Sequence, residues 1–201
     1  IQSLGLRDVS PFETEEKVLG LPLMNGELIN KQTFDFVDEV SRDTPAPGGG
    51  SVAALAGSLG AALGTMVANL SVGKSKFDND YEKLCRISET GQKIKDSLLK
   101  AVDEDTNAFD SVIEAMRMPK DTKEEKEIRN KMMQEGYKKA TDVPLKTVKQ
   151  CLAALKVCCE ISEIMDAGMA SDGGSGALLA KAGAESAGLN VKINLKEIKD
   201  E

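Results

Sequence analysis

Proton chemistry has few carriers to choose from in this chain, because none of its 201 residues is a histidine. The commonest general base is absent, and with it the commonest metal ligand and every Ser-His or Cys-His nucleophile pair. Carboxylates, lysines, cysteines and tyrosines remain. Cys85, Cys151, Cys158 and Cys159 show no C-x-x-C spacing and make no zinc set without histidine, so they read as reduced thiols of a cytoplasmic protein, with no metal. Among the carboxylates one stands apart. Leu84, Ile87, Gly91, Ile94, Leu98, Ala101, Asp105, Ala108, Val112 and Ala115 follow one another in alternating steps of three and four, a heptad-like seam on one long helix. Asp105 is its only charged member. A carboxylate on an apolar seam loses hydration, which is tolerated when it is paired, hydrogen-bonded or protonated. Facing a cleft between helices it serves as a general acid or base; facing a Lys or Arg of a neighbouring helix, or solvent, it is structural. Asp103, Glu104 and Asp110 lie off the seam and read as solvated.

Three further places offer ligand chemistry. The turn Gly48-Gly49-Gly50-Ser51 leads into a helix N-terminus, where free N–H groups and the helix dipole favour an anion and where glycines admit a ligand or another backbone at close range. It lacks the Lys-Ser/Thr ending of a phosphate-binding loop and follows no strand, so a tight helix-helix connection is the competing reading. Ser171-Asp172, near the start of an Ala-rich helix, is a second anion or N-cap position. Lys74 and Lys76 offer a cationic rim to a carboxylate ligand, or are a solvated helix end.

Helices must position these groups. Residues 1–26, with Pro11, Pro22 and three glycines and no sustained period, read as a linker or arm, and 27–201 as one helical domain. The chain opens on Ile1, as a fragment would, and shows no signal-peptide pattern. Within 28–43, Thr33, Phe36, Val37 and Val40 mark an amphipathic helix that Pro45 and Pro47 bring to an end. From Thr44 to Gly73 there is no charged residue. The length suits a membrane span, which needs about 20 apolar residues, but Ala, Gly and Ser dominate it. It therefore reads as a central buried helix whose small residues let neighbours, or a second copy, approach. The seam helix ends near Met118-Pro119, and Thr122 to Glu125 spell a capping box for the next. That helix passes Gly136, kinks at Pro144 and resumes with Leu145, Val148, Leu152, Leu155 and Cys159. A Gly/Ser/Asp-rich break at 168–176 precedes an Ala-rich helix over 176–187, and Val191 to Leu195 is the only strand-like stretch. The expected fold is all-α, a bundle of long antiparallel helices around a central Ala/Gly-rich buried helix. Against 33 acidic residues stand 26 basic ones, a net charge of -7 that speaks against a nucleic-acid partner.

From about residue 31 onward the chain resembles the formiminotetrahydrofolate cyclodeaminase family, which forms the C-terminal half of formiminotransferase-cyclodeaminase and includes related methenyltetrahydrofolate cyclohydrolases. The resemblance rests on TPAPGGGSVAALAGSLGAALGTMVANLSVGK from Thr44, VDED-x-x-AF from Val102, AMRMPKDTKEE from Ala115, QEGYKKATDVPL from Gln134, and Ser171-Asp172 followed by NVKINL from Asn190. The leading SLGLRDVSPFETEEKV is similar to the linker after the transferase half. The resemblance implies an all-α homodimer that converts 5-formiminotetrahydrofolate, mono- or polyglutamylated, to 5,10-methenyltetrahydrofolate and ammonia. It implies no metal or nucleotide cofactor, no membrane, a transferase domain or partner, and a place in histidine degradation. It puts the acid/base role on Asp105, and the folate against Gly48, Gly49, Gly50, Ser51, Lys74, Ser171, Asp172, Asn190 and Asn194, with Lys74 for the glutamate tail. The chain departs from the family in a shortened stretch between Gly168 and Ser171, in Ser75 where a basic residue is usual, and in lacking the final helix. A cyclohydrolase on the same fold and a non-catalytic helical dimerisation module are the alternatives.

Overall fold

The computed structural model describes residues 26–199; the arm expected over 1–26 lies, apart from Gly26, outside the described residues. Five α-helices follow in order: α1 Thr33–Val40, α2 Gly49–Ser71, α3 Tyr81–Arg117, α4 Lys123–Ser162 and α5 Ala170–Leu195. Two short 3-10 turns, Ser75–Asp80 and Ala167–Met169, lead into α3 and α5. There is no strand among the described residues, so the all-α expectation holds.

Side-chain pairings fix the directions. Ser58 of α2 reaches the Lys95 carbonyl of α3 at 3.2 Å, and farther along α2 Asn69 meets Ser88, so these two helices are antiparallel. Arg86 of α3 pairs with Glu160 of α4, while at the other end Arg129 of α4 reaches the Met116 carbonyl. α5 runs antiparallel to both α2 and α4: Gly176 and Ala180 lie against Gly60, and Gly183 against Ala53 and Gly57. The result is an up-down-up-down bundle with α2 and α4 on one diagonal, in parallel.

That diagonal contact depends on missing side chains. A Cβ on Gly57 would overlap the Cys151 thiol and one on Gly64 would stand 3.0 Å from the Cys158 Sγ; against α5, one on Gly60 would stand 2.7 Å from the Gly176 carbonyl. Both thiols are buried, and desolvation pushes each up to about 11, so at neutral pH they pack as small apolar groups. α2 is long and apolar enough to cross a membrane, but here most of its apolar stretch is buried by the other three long helices. The seam of α3 packs inward as its period requires, with Leu84, Ile87, Leu98 and Val112 fully buried. The capping box forms as expected, Glu125 N–H donating to Thr122 Oγ1 and Thr122 N–H to the Glu125 carboxylate.

α4 is one helix from Lys123 to Ser162 with Pro144 buried inside it. Two local expectations change. The Gly/Ser/Asp-rich break is largely helical: α5 starts at Ala170, because Gly173 and Gly176 are the residues that let it lie close to its neighbours. Val191 to Leu195 is the last turn of α5 rather than a strand. A five-residue alternation is too short to outweigh the packing of the helix it continues.

Candidate active site

The seam brings Asp105 to the end of the bundle where α2 begins. Pro45 and Pro47 end the preceding chain, Gly48 is the N-cap in extended conformation, and Gly49, Gly50 and Ser51 form the first turn of α2. Gly48 has no side chain to cap with, so the free N–H groups of that turn need acceptors from elsewhere. Asp105 supplies one: its carboxylate accepts from the Ser51 backbone N–H. The Ser51 hydroxyl lies 3.3 Å from Asp105 Oδ2, 2.9 Å from the Val102 carbonyl and 3.2 Å from Thr106 Oγ1. Ser51 is 0% exposed. Its side chain is therefore buried behind the carboxylate, outside the lining of the pocket described next.

Gly50 is required by this contact. A Cβ there would overlap Asp105 Oδ1, Cγ and Oδ2. Desolvation holds the Asp105 carboxyl above the ordinary aspartate range, and the two hydrogen bonds from Ser51 pull it partly back. The outcome is a carboxylate that accepts a proton more readily than one in water, at a fixed position.

Asp105 opens onto a pocket of about 150 Å³. Pro45, Ala46 and the three glycines form one wall, Phe109 of α3 and Ala140 of α4 a second, and Asn190, Ile193 and Asn194 of α5 a third. Among the described residues, Asp105 is the only titratable group in this lining. The two asparagines are positioned by backbone carbonyls: Asn190 Nδ2 donates to Ser186 O at 3.1 Å, and Asn194 Nδ2 to Ala140 O at 2.6 Å. Ala140 O is free to accept because its helical partner would be the N–H of residue 144, and Pro144 has none. The proline inside α4 thus creates the acceptor that fastens the end of α5 to the pocket.

Of the residues singled out in the sequence, Gly48, Gly49, Gly50, Ser51, Asp105, Asn190 and Asn194 come together. Lys74, Ser171 and Asp172 do not join them within one chain. Lys74 follows the far end of α2, and a 23-residue helix is about 34 Å long. There it lies 3.9 Å from Asp166, which also pairs with Lys76. Ser171 and Asp172 occupy the first turn of α5, at the same far end. Asp103 is not simply solvated: its carboxylate accepts from Leu28 N at 2.7 Å and Ile29 N at 3.4 Å, tying down the approach to α1. Sequence reasoning missed Thr106, Phe109 and Ala140. Ala140 had a legible signal, the proline four residues after it.

A larger cavity of about 430 Å³ runs beneath α1, lined by Phe36, Val52, Leu55, Leu59, Leu99 and Val102 among others. It is almost wholly aliphatic and holds no acid or base except Lys31, which pairs with Glu39. Size favours it, but chemistry favours the smaller pocket. Among the described residues no three Cys, Asp or Glu side chains converge to hold a metal ion.

Comparison with known proteins gives consistent matches. A family model described as formiminotransferase-cyclodeaminase matches residues 32–201. A methenyltetrahydrofolate cyclohydrolase from Methylorubrum extorquens is 37% identical over 85% of this chain and 82% of its own length. A formimidoyltransferase-cyclodeaminase from Gallus gallus is 38% identical over 100% of this chain, which spans only 38% of that protein. The crystal structure of a formiminotetrahydrofolate cyclodeaminase from Thermotoga maritima superimposes with a TM-score of 0.77 at 28% identity, covering 87% of this chain and 83% of the other.

Proposed function

Because the chain belongs to the formiminotransferase-cyclodeaminase family, we propose that it converts 5-formiminotetrahydrofolate to 5,10-methenyltetrahydrofolate and ammonia, with Asp105 as general acid and base. The observation that carries the reading is the desolvated carboxylate lining a pocket that holds no other titratable group among the described residues. In the reaction N10 attacks the formimino carbon on N5, forming the C–N10 bond. The N10 proton passes to the Asp105 carboxylate. Asp105 then delivers a proton to the former formimino nitrogen, the bond from carbon to that nitrogen breaks, and ammonia leaves. A carboxyl whose protonated form is favoured by burial suits both transfers, since a proton carrier works best with a pKa not far from the working pH. Gly49 and Gly50 let the reacting carbon approach Asp105 without a side chain between, and a fixed carboxylate contributes through positioning.

The same reading takes a folate as substrate and a second copy of the chain as partner. Val52, Leu59 and Met66 of α2 are exposed at seven-residue intervals on the most apolar helix, the spacing of a helix-helix seam. Lys74, Ser171 and Asp172 have no part in the proposal for the chain's own pocket. A transferase domain or partner belongs to the same reading, supported by the Gallus gallus formimidoyltransferase-cyclodeaminase, of whose length this chain spans 38%.

A second reading, cyclohydrolysis of 5,10-methenyltetrahydrofolate, is favoured by the Methylorubrum extorquens relative, which aligns over most of its own length. Steady-state assays with both folates decide. Release of ammonia with formation of the methenyl product supports the first reading, and hydrolysis of the methenyl compound without any deamination supports the second. Asp105→Asn must abolish whichever is found, by roughly 100-fold or more for loss of a general base; a folded variant with wild-type turnover removes Asp105 from the mechanism.

A further inference from the structure

Ser51 has one hydroxyl proton and more than one claim on it. Its side chain is 0% exposed, so bulk water does not compete for that proton. The Val102 carbonyl at 2.9 Å can only accept, and so can Asp105 Oδ2 at 3.3 Å while the carboxylate is ionised. Both contacts have hydrogen-bond geometry, and one O–H serves one of them at a time. The third neighbour, Thr106 Oγ1 at 3.2 Å, is a hydroxyl and can donate to the Ser51 oxygen. Thr65, Thr141 and Thr147 each turn their hydroxyl onto the carbonyl four residues back. For Thr106 that carbonyl is Val102 O, which Ser51 already meets, and Thr106 meets the Ser51 oxygen instead.

Resting on the reading of Asp105 as acid and base, we propose that the Ser51 hydroxyl is a two-position switch: it donates to Asp105 Oδ2 while that carboxylate is ionised and to the Val102 carbonyl once it is protonated. Thr106 is the positioning residue that keeps a donor on the Ser51 oxygen in both positions. A hydrogen bond to an ionised oxygen is about twice as strong as one between neutral groups, so the charge draws the hydroxyl across the longer 3.3 Å contact. Once Asp105 has taken a proton on its other oxygen that advantage is gone, and the peptide carbonyl at 2.9 Å is the nearer acceptor. Only a hydrogen atom rotates about the Cβ–Oγ bond, and no heavy atom moves. Asp105 thus passes from base to acid at one fixed position, with the buried hydroxyl paired at both stages. No other group takes over this task. Facing Asp105, α2 offers Gly50 and Ser51, α4 Ala140, and α5 Asn190 and Asn194, none of which titrates. On α3, Asp103 is held by Leu28 and Ile29 N–H groups and Glu104 is exposed, as are Asp142 and Lys146, which pair on α4.

Carbonyl NMR of the substrate-free protein tests the switch. With isotope labels on valine carbonyls and aspartate nitrogens, the pairs Val37-Asp38 and Val102-Asp103 are the ones that give a signal. The Val102 resonance is expected to titrate with the same midpoint as the Asp105 carboxyl, because Val102 O gains a hydrogen bond as Asp105 gains a proton. That titration should vanish in Ser51→Ala and in Asp105→Asn. Thr106→Val keeps the shape of a half-buried side chain and removes its hydroxyl. It should raise the Asp105 midpoint and the acidic limb of kcat by less than Ser51→Ala does, with KM for the folate unchanged, and Thr106→Ser should restore both. Adding Thr106→Val to Ser51→Ala should change nothing further, since Thr106 acts only through Ser51. A Val102 carbonyl that stays still while Asp105 titrates, or that still follows that midpoint in Asp105→Asn or in a folded Ser51→Ala, overturns the switch. A Thr106→Val effect that persists without the Ser51 hydroxyl, or no effect at all, overturns the role of Thr106. A wild-type chain that releases no ammonia from 5-formiminotetrahydrofolate shows in the folate assays and not in these titrations, and overturns instead the reading on which the switch rests.

Discussion

The link between Pro144 and Asn194 can be measured as a coupling energy. Asn194→Ala removes the 2.6 Å hydrogen bond to Ala140 O. Ala140 is 5% exposed and its carbonyl has no helical partner, so that carbonyl is left without a donor. An orphaned buried carbonyl costs about 1–3 kcal/mol. Replacing asparagine by alanine in a helix returns about 0.5 kcal/mol of propensity, so the net loss should be near 1–2 kcal/mol. For a chain of this size that lowers Tm by roughly 2–8 °C. Pro144→Ala restores an N–H that can donate to Ala140 O within α4, while removing the buried ring. In that background Asn194→Ala should cost almost nothing, because the carbonyl is already paired. The cost of the missing ring and the propensity gain cancel in the double-mutant cycle, leaving the cost of the orphaned carbonyl, about 1–3 kcal/mol, as coupling between two residues on different helices. Urea unfolding of the four proteins measures it. Additive effects within about 0.5 kcal/mol would show that Pro144 does not create the acceptor that Asn194 occupies, and the account of how α5 is fastened would be wrong.

Ser51→Ala removes a hydroxyl that favours the ionised form of Asp105. Base catalysis needs that ionised form, so the acidic limb of the rate profile should move to higher pH, and a limb in its wild-type place counts against Ser51 as the group positioning Asp105. Gly50→Ala places a methyl group on the Asp105 carboxylate and should cost about 1–3 kcal/mol and most of kcat. Gly49→Ala meets only Asn190 Nδ2 at 3.3 Å and should be mild; equal effects in the two assays contradict the geometry. Asp105 has its folded-state pKa raised, so the folded state binds the proton more tightly than the unfolded chain. Stability therefore falls as pH rises from the unfolded to the folded value and stays lowered above it. Asp105→Asn should accordingly raise Tm at neutral pH, with the gain shrinking on acidification through that window, and thermal melts against pH would expose the opposite sign.

Much of the site was legible in one dimension because it depends on helical period. The alternating steps from Leu84 to Ala115 place Asp105 on the buried face of α3 whatever that face packs against, and the run of prolines and glycines before Ser51 ends one element and starts another. The roles around Asp105 were not legible. Ser51 looked like a ligand contact but is fully buried behind the carboxylate, and Asp103 looked solvated but holds Leu28 and Ile29. Burial is decided by which helices meet, and no local pattern reports it.

By itself the sequence determined the all-α class, the uncharged central helix, the long seam helix and the one carboxylate that its apolar seam carries inward. Period and composition act over a few turns of the same chain, so a reader of the sequence has all the information they use. The tertiary structure decided which end of each helix meets which. Ser171-Asp172 and Asn190 lie on the same 26-residue helix, yet only the asparagine end comes to Asp105, because α5 runs antiparallel to α2 with Gly176 against Gly60 and Gly183 against Gly57. Helix direction follows from long-range packing of small residues and from one carbonyl freed by Pro144. Those contacts join residues far apart in the chain, and their energies exist only once the bundle has closed.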